Sequence, residues 1–63
     1  MQVNVQTAVE TKSLSAPDQA TLALEMGTYL RGIGYDEATA RRNGTHFSMN
    51  DVQDGDTLVF TKN

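Results

Sequence analysis

Cysteine and tryptophan are absent from this chain of 63 residues, and histidine and proline occur once each, as His46 and Pro17. Without cysteine there is no disulfide framework, and one histidine alone does not build a Cys/His zinc site. A domain this short buries only about 60% of the surface its unfolded chain exposes. Such scaffolds often rely on a disulfide or a metal. Here secondary structure and a compact core, or a partner chain, must suffice. No metal or other cofactor is expected.

Long apolar runs are missing too. None approaches the roughly 20 residues needed to span a bilayer, which argues against membrane insertion. The start, Met1-Gln2-Val3-Asn4-Val5, has no basic region leading into an apolar stretch and so does not read as a signal peptide. With no cysteine to protect from reduction, a cytoplasmic location is expected. Positive charge is also scarce: five basic residues face eight acidic ones, for a net charge of −3. Nucleic-acid binding needs a basic footprint that displaces counterions from phosphates. Arg41-Arg42 is the one local concentration, and this argues against DNA or RNA as the main partner.

What is present is periodic. Val3 and Val5 alternate with Gln2, Asn4 and Gln6 in the two-residue period of a half-buried strand. A second extended segment, Thr11 to Ser15, is centred on Leu14, with a hairpin through Ala8-Val9-Glu10. Ser15-Ala16-Pro17-Asp18 reads as a capping box: Ser15 accepts a free backbone N–H, and Asp18 suits the positive end of the helix dipole. Leu22, Ala23, Met26, Tyr29, Leu30 and Ile33 then recur at spacings of three and four, which gives one apolar helical stripe. Gly27 inside it implies a close approach to the sheet. Gly32 and Gly34 supply the left-handed residue that commonly ends a helix.

Beyond Tyr35-Asp36-Glu37 the period returns to two. Ala38 to Arg41 reads as a short strand, Asn43-Gly44 as a hairpin turn, and Thr45 to Met49 as the returning strand. Asp54-Gly55-Asp56 is a tight turn, and Thr57 to Thr61 a last strand of good β-formers. The expected fold is therefore α+β, a single domain over residues 1–63 in the order β-β-α-β-β-β. Its mixed sheet carries one helix on one face.

This order, at this length, resembles the β-grasp (ubiquitin-like) fold. The segment Asp51-Val52-Gln53-Asp54-Gly55-Asp56-Thr57-Leu58-Val59-Phe60 resembles the end of the small sulfur-carrier proteins of thiamin biosynthesis and molybdopterin synthesis. In that family an acidic-Gly-Asp turn leads into the last strand, and an Asn-containing turn sits where Asn43-Gly44 falls here. The match covers about the last third of the chain. The family's activity resides in a flexible Gly-Gly tail whose carboxylate becomes a thiocarboxylate. The present sequence runs to Thr61-Lys62-Asn63 without that pair, so the resemblance implies the scaffold and not the reaction.

No catalytic constellation is legible. His46 is the only candidate general base and has no Ser or Asp partner at a suggestive spacing. Asp51, Asp54 and Asp56 lack the remaining oxygen ligands of a calcium loop and read as turn chemistry. In a β-grasp fold the sheet face opposite the helix serves as the binding surface. Strand alternation sends Phe47, Leu58 and Phe60 inward and leaves His46, Val59 and Arg41 outward. Arg41, Arg42, His46 and Val59 are thus the expected partner-binding residues, with an exposed sheet edge as a second docking surface by strand addition. The leading expectation is a non-catalytic adaptor or regulator that binds another protein. The alternatives are a sulfur carrier or modifier lacking its tail, a homo-oligomeric structural component such as one of a virus, and a weak nucleic-acid binder.

Overall fold

The computed structural model describes residues 1–35 and 38–62; Asp36, Glu37 and Asn63 lie outside them. Strand β1 (Gln2–Gln6) and strand β2 (Thr11–Ser15) form the expected hairpin. Helix α1 (Gln19–Gly32) follows, then β3 (Thr39–Arg42), a short 3₁₀ turn (Met49–Asp51) and β4 (Thr57–Thr61). The described strands make one mixed sheet in the order β2-β1-β4-β3, with β1 parallel to β4 and both outer pairs antiparallel. The result is an α+β fold with one helix packed on one face of an open sheet.

The core lies between α1 and the sheet. Val3 and Val5 of β1 and Leu58 and Phe60 of β4 meet Leu22, Met26 and Leu30 of α1, joined by Ala16, Tyr35 and Val52. Val3, Val5, Leu22 and Leu58 are fully shielded from water. Each such aliphatic side chain contributes roughly 1.5–3 kcal/mol relative to remaining exposed.

The helix starts later than a Ser15 cap would place it. Asp18 is the N-cap, its Oδ1 accepting the Thr21 N–H at 2.8 Å. Pro17 disfavours helical geometry in the residue before it. Ser15 accordingly remains in β2, and the Ala16 N–H extends the ladder to the Met1 carbonyl at 2.8 Å. At the other end Gly34, with φ 82°, makes the left-handed turn. The Tyr35 N–H reaches the Leu30 carbonyl at 2.7 Å and the Gly34 N–H the Arg31 carbonyl at 3.2 Å. This pairing satisfies carbonyls orphaned at a helix end and commonly brings an apolar residue back onto the helix. Tyr35 is buried, and its hydroxyl accepts the Ala8 N–H at 3.1 Å, which ties the β1–β2 turn to the helix exit. Gly27 is no close-approach site: a Cβ built there would meet only the end of the Arg31 side chain, at 3.3 Å.

The expected strand Thr45 to Met49 does not form. Asn43 (φ 55°) and Gly44 (φ 79°) make the predicted turn, and Arg42 and Thr45 exchange backbone bonds at 2.8 and 3.1 Å across it. Pairing stops at that single bridge. The chain instead folds over the end of the core, with Phe47 and Met49 packed against it and Val52 buried. Gln19 Nε2 donates to the Val52 carbonyl at 2.9 Å. Phe47 and Met49 are two apart, as in a strand, but they serve as plugs in a connection that must return to the start of β4.

The facing of β4 is directly testable. Leu58→Ala should lower the urea-derived stability by about 3 kcal/mol, whereas Val59→Ala should stay within about 0.5 kcal/mol of wild type. Equal losses at the two positions would overturn the assignment of faces.

Candidate functional site

The pleat and the register decide what the uncovered face presents. Side chains one residue apart point to opposite faces of a strand. With Val3, Val5, Leu58 and Phe60 directed to the helix, the open face carries Gln2, Asn4 and Gln6 of β1 beside Thr11, Ser13 and Ser15 of β2. On the other side of β1 it carries Thr57, Val59 and Thr61 of β4 and then Thr39 and Arg41 of β3. Hydroxyl and amide groups dominate this surface. Some engage each other, as where Gln2 Nε2 donates to Ser13 Oγ at 2.7 Å. Val59 is 38% exposed, the apolar exception at the middle of the face. Arg41 stands directly opposite it across the β3–β4 pair, and Gln6 flanks it on β1. Among the described residues of the face, Arg41 carries the only charge.

The four expected partner-binding residues do not form one patch. Arg41 and Val59 are brought together. Arg42, one position on, points to the helix-side face and is consumed by the fold. Its Nη1 lies 3.1 Å from Asp56 Oδ2 in an ion pair and also donates to the Asp51 carbonyl. This guanidinium clamps the connection between the 3₁₀ turn and β4 against the end of β3. His46 is exposed on the segment that leaves the sheet after the Asn43-Gly44 turn, and has no polar partner among the described residues.

The acidic residues are likewise occupied with backbone. Asp54 Oδ1 accepts the Gln2 N–H at 2.7 Å, and the Gly55 N–H reaches the Gln2 carbonyl at 2.7 Å, so this turn caps the start of β1. Asp56 Oδ2 accepts the Gln53 N–H at 2.8 Å. That bond, aided by Arg42, holds the Asp56 carboxyl below its ordinary value of 3.8. Asp18 is lowered in the same direction by the Thr21 N–H it caps. Among the described residues no three His, Asp or Glu side chains converge to hold a metal ion.

One feature was not legible beforehand: an apolar groove of about 310 Å³ between α1 and β3, lined by Met26, Leu30, Ala40, Phe47, Met49 and Phe60, with Ala23 and Gly27. It opens because the 45–49 segment leaves the sheet. Ligand pockets usually pair apolar walls with a few placed polar groups; among the described residues the side chains that line this one are all apolar. Among the described residues no helix is long and apolar enough to cross a membrane. Comparison with family models, with curated proteins and with solved structures gives no match.

The two depressed carboxyls make stability pH-dependent. A folded-state pKa below the unfolded one contributes stability that is complete above the unfolded value and lost as pH falls through the folded one. The melting temperature should therefore fall as pH drops below about 4. Asp56→Asn should flatten that acid limb, and Arg42→Ala should flatten it less, because the Gln53 N–H remains. An acid limb unchanged by Asp56→Asn would remove Asp56 from the account.

Proposed function

We propose that this chain is a small non-catalytic protein-binding module of β-grasp type, and that it docks through the open sheet face around Val59 and Arg41. The β-grasp reading is supported by the hairpin, the single crossing helix and the parallel pairing of the first and last strands. From the sulfur-carrier resemblance it takes the scaffold alone.

The observation that carries the reading is the partially exposed Val59 set beside Arg41, which makes no ion pair among the described residues, in a field of uncharged hydroxyl and amide groups. Interfaces concentrate binding energy in a few desolvated apolar and arginine side chains, and depletion of other charges marks their centre. Lys and Glu, costly to desolvate, are absent from the described part of this face. Arg41 would meet a carboxylate or a row of carbonyl oxygens on the partner, with Val59 packing beside it. The surrounding Ser, Thr, Asn and Gln side chains would form a rim that exchanges hydrogen bonds with water or partner at little net cost.

Affinity capture with the full chain tests this. Wild type should retain a stoichiometric protein, and Val59→Asp and Arg41→Glu should each weaken retention at least tenfold while preserving the circular dichroism spectrum. Ala20→Glu, at an exposed position of α1, should bind as wild type. Retention indifferent to both face variants, or a gel shift of nucleic acid at low salt that Arg41→Glu abolishes, would overturn the reading.

A further inference from the structure

The two edges of the sheet differ. At β3 the backbone groups of Arg42 that face outward are already taken by Thr45 across the Asn43-Gly44 turn. At β2 nothing comparable occurs. The Asn4 N–H bonds to the Asp56 carbonyl and the Gln2 carbonyl accepts from Gly55, so the even residues of β1 face β4. Its odd residues face β2, where the ladder continues through Met1 with Ala16 and Thr7 with Glu10. In an antiparallel pair these alternate positions exchange both bonds, which places Lys12 and Leu14 on the inner side of β2. Thr11, Ser13 and Ser15 therefore turn their N–H and C=O groups outward, with no strand beside them among the described residues. The usual protections of such an edge are shortness, a lysine or other charge, proline, a bulge or a covering loop. Within β2 there is no proline and the register to β1 is continuous; its one protecting charge is Lys12, on the helix-side face.

Beside this edge lies a second groove, of about 380 Å³, lined by Lys12, Leu14, Leu24, Glu25, Thr28 and Tyr29. Leu24 is 73% exposed there, and Val9, in the turn that leads into β2, is 70% exposed. Exposed apolar surface thus gathers next to the open edge of β2. The groove also holds one cation and one anion, and neither Lys12 nor Glu25 makes an ion pair among the described residues.

We propose that β2 pairs antiparallel with β2 of a second copy of this chain about a two-fold axis at Ser13, joining two four-stranded sheets into one of eight. The axis places Ser13 opposite Ser13 and Thr11 opposite Ser15 of the second copy, small hydroxyl pairs that favour strand contact. Every outward backbone group of the three residues then gains a partner. On the helix side Lys12 falls opposite Leu14 of the second copy. Because Leu14 and Glu25 line one groove, Lys12 is carried to the mouth of that groove, and its ammonium meets the second copy's Glu25. The symmetry returns the same contact from the other side. This reciprocity selects a second copy over a foreign peptide: the groove presents both signs, and a two-fold interface answers both with the same residues. Leu14 and Leu24 of the two copies flank the seam. The net charge of −3 per chain opposes association, and this repulsion is largely screened at physiological salt.

Sedimentation equilibrium of the full chain in 150 mM salt tests the proposal, together with amide exchange followed by NMR across a hundredfold concentration range. Wild type should show a monomer–dimer equilibrium, with the Thr11, Ser13 and Ser15 amides gaining protection as concentration rises. The Lys12 and Leu14 amides, bonded within the chain, should not change. Ser13→Pro removes one outward N–H without breaking a ladder bond to β1 and should give a monomer. Lys12→Glu and Glu25→Lys should each weaken the dimer about tenfold, and the double exchange should restore it. A wild-type monomer at millimolar concentration would overturn the proposal, including one that instead binds an added β-strand peptide. So would a dimer indifferent to Ser13→Pro. If Ser13→Pro fails to fold, the concentration dependence of the wild-type amides decides alone.

Discussion

The parallel pairing of β1 with β4 joins the two ends of the chain in the middle of the sheet, and the other contacts presuppose it. Asn4, Val5 and Gln6 lie against Thr57, Leu58 and Val59, some fifty residues away in sequence. Closing a loop of that length costs conformational entropy that local contacts do not recover. What offsets it is the burial that the pairing creates. Val3 and Val5 become contiguous with Leu58 and Phe60, and only that four-residue surface is broad enough to receive Leu22, Met26 and Leu30 from the helix. Remove the pairing and the hairpin and the helix each keep an apolar face with nothing to cover it.

The polar contacts follow the same logic. Asp54 and Gly55 bond both backbone groups of Gln2, so the turn before β4 fixes where β1 begins. Arg42 bonds Asp51 and Asp56, so the end of β3 fixes where that turn sits. The acidic residues between Met49 and Asp56 serve the turn: Asp54 and Asp56 accept backbone N–H groups, Asp56 also takes the Arg42 guanidinium, and Asp51 accepts the Ser48 hydroxyl, which is the turn chemistry expected of these residues. In a domain with few buried residues these contacts matter for register. A slip of one residue in β4 would send Val59 inward and expose Leu58 and Phe60.

How far the sequence could be read follows from which contacts are local. The Val3/Val5 alternation, the helical stripe from Leu22 to Ile33 and the Asn43-Gly44 turn are decided by neighbours a few residues away, and each is found where expected. The helix cap was displaced from Ser15 to Asp18 because Pro17 outweighs the capping-box pattern, a competition between two local rules. The lack of a strand at Thr45 to Met49 has a different cause. Alternation reports that Phe47 and Met49 face an apolar surface, but it does not report whether a strand lies alongside to pair with. For the candidate face, strand parity puts Arg41 and Val59 outward, and the register sets them opposite each other. Arg42, next in sequence, points to the other side, because neighbours on a strand alternate faces.

That opposition between adjacent residues divides the molecule's labour. Along β3 and β4 each step of one residue switches from a side chain that holds the fold to one that is free to meet a partner: Arg42 and Leu58 to one side, Arg41 and Val59 to the other. The helix-side set is constrained by volume and by bonds already made. The open-face set carries almost no folding burden, so its composition is free to answer to something else. Stability alone would accept charges there, as on most solvent-facing strands, and an acidic protein has them in supply. Their near absence from the open face, while Asp51, Asp54 and Asp56 gather in the turn before β4, is what the proposed docking role would require of that face.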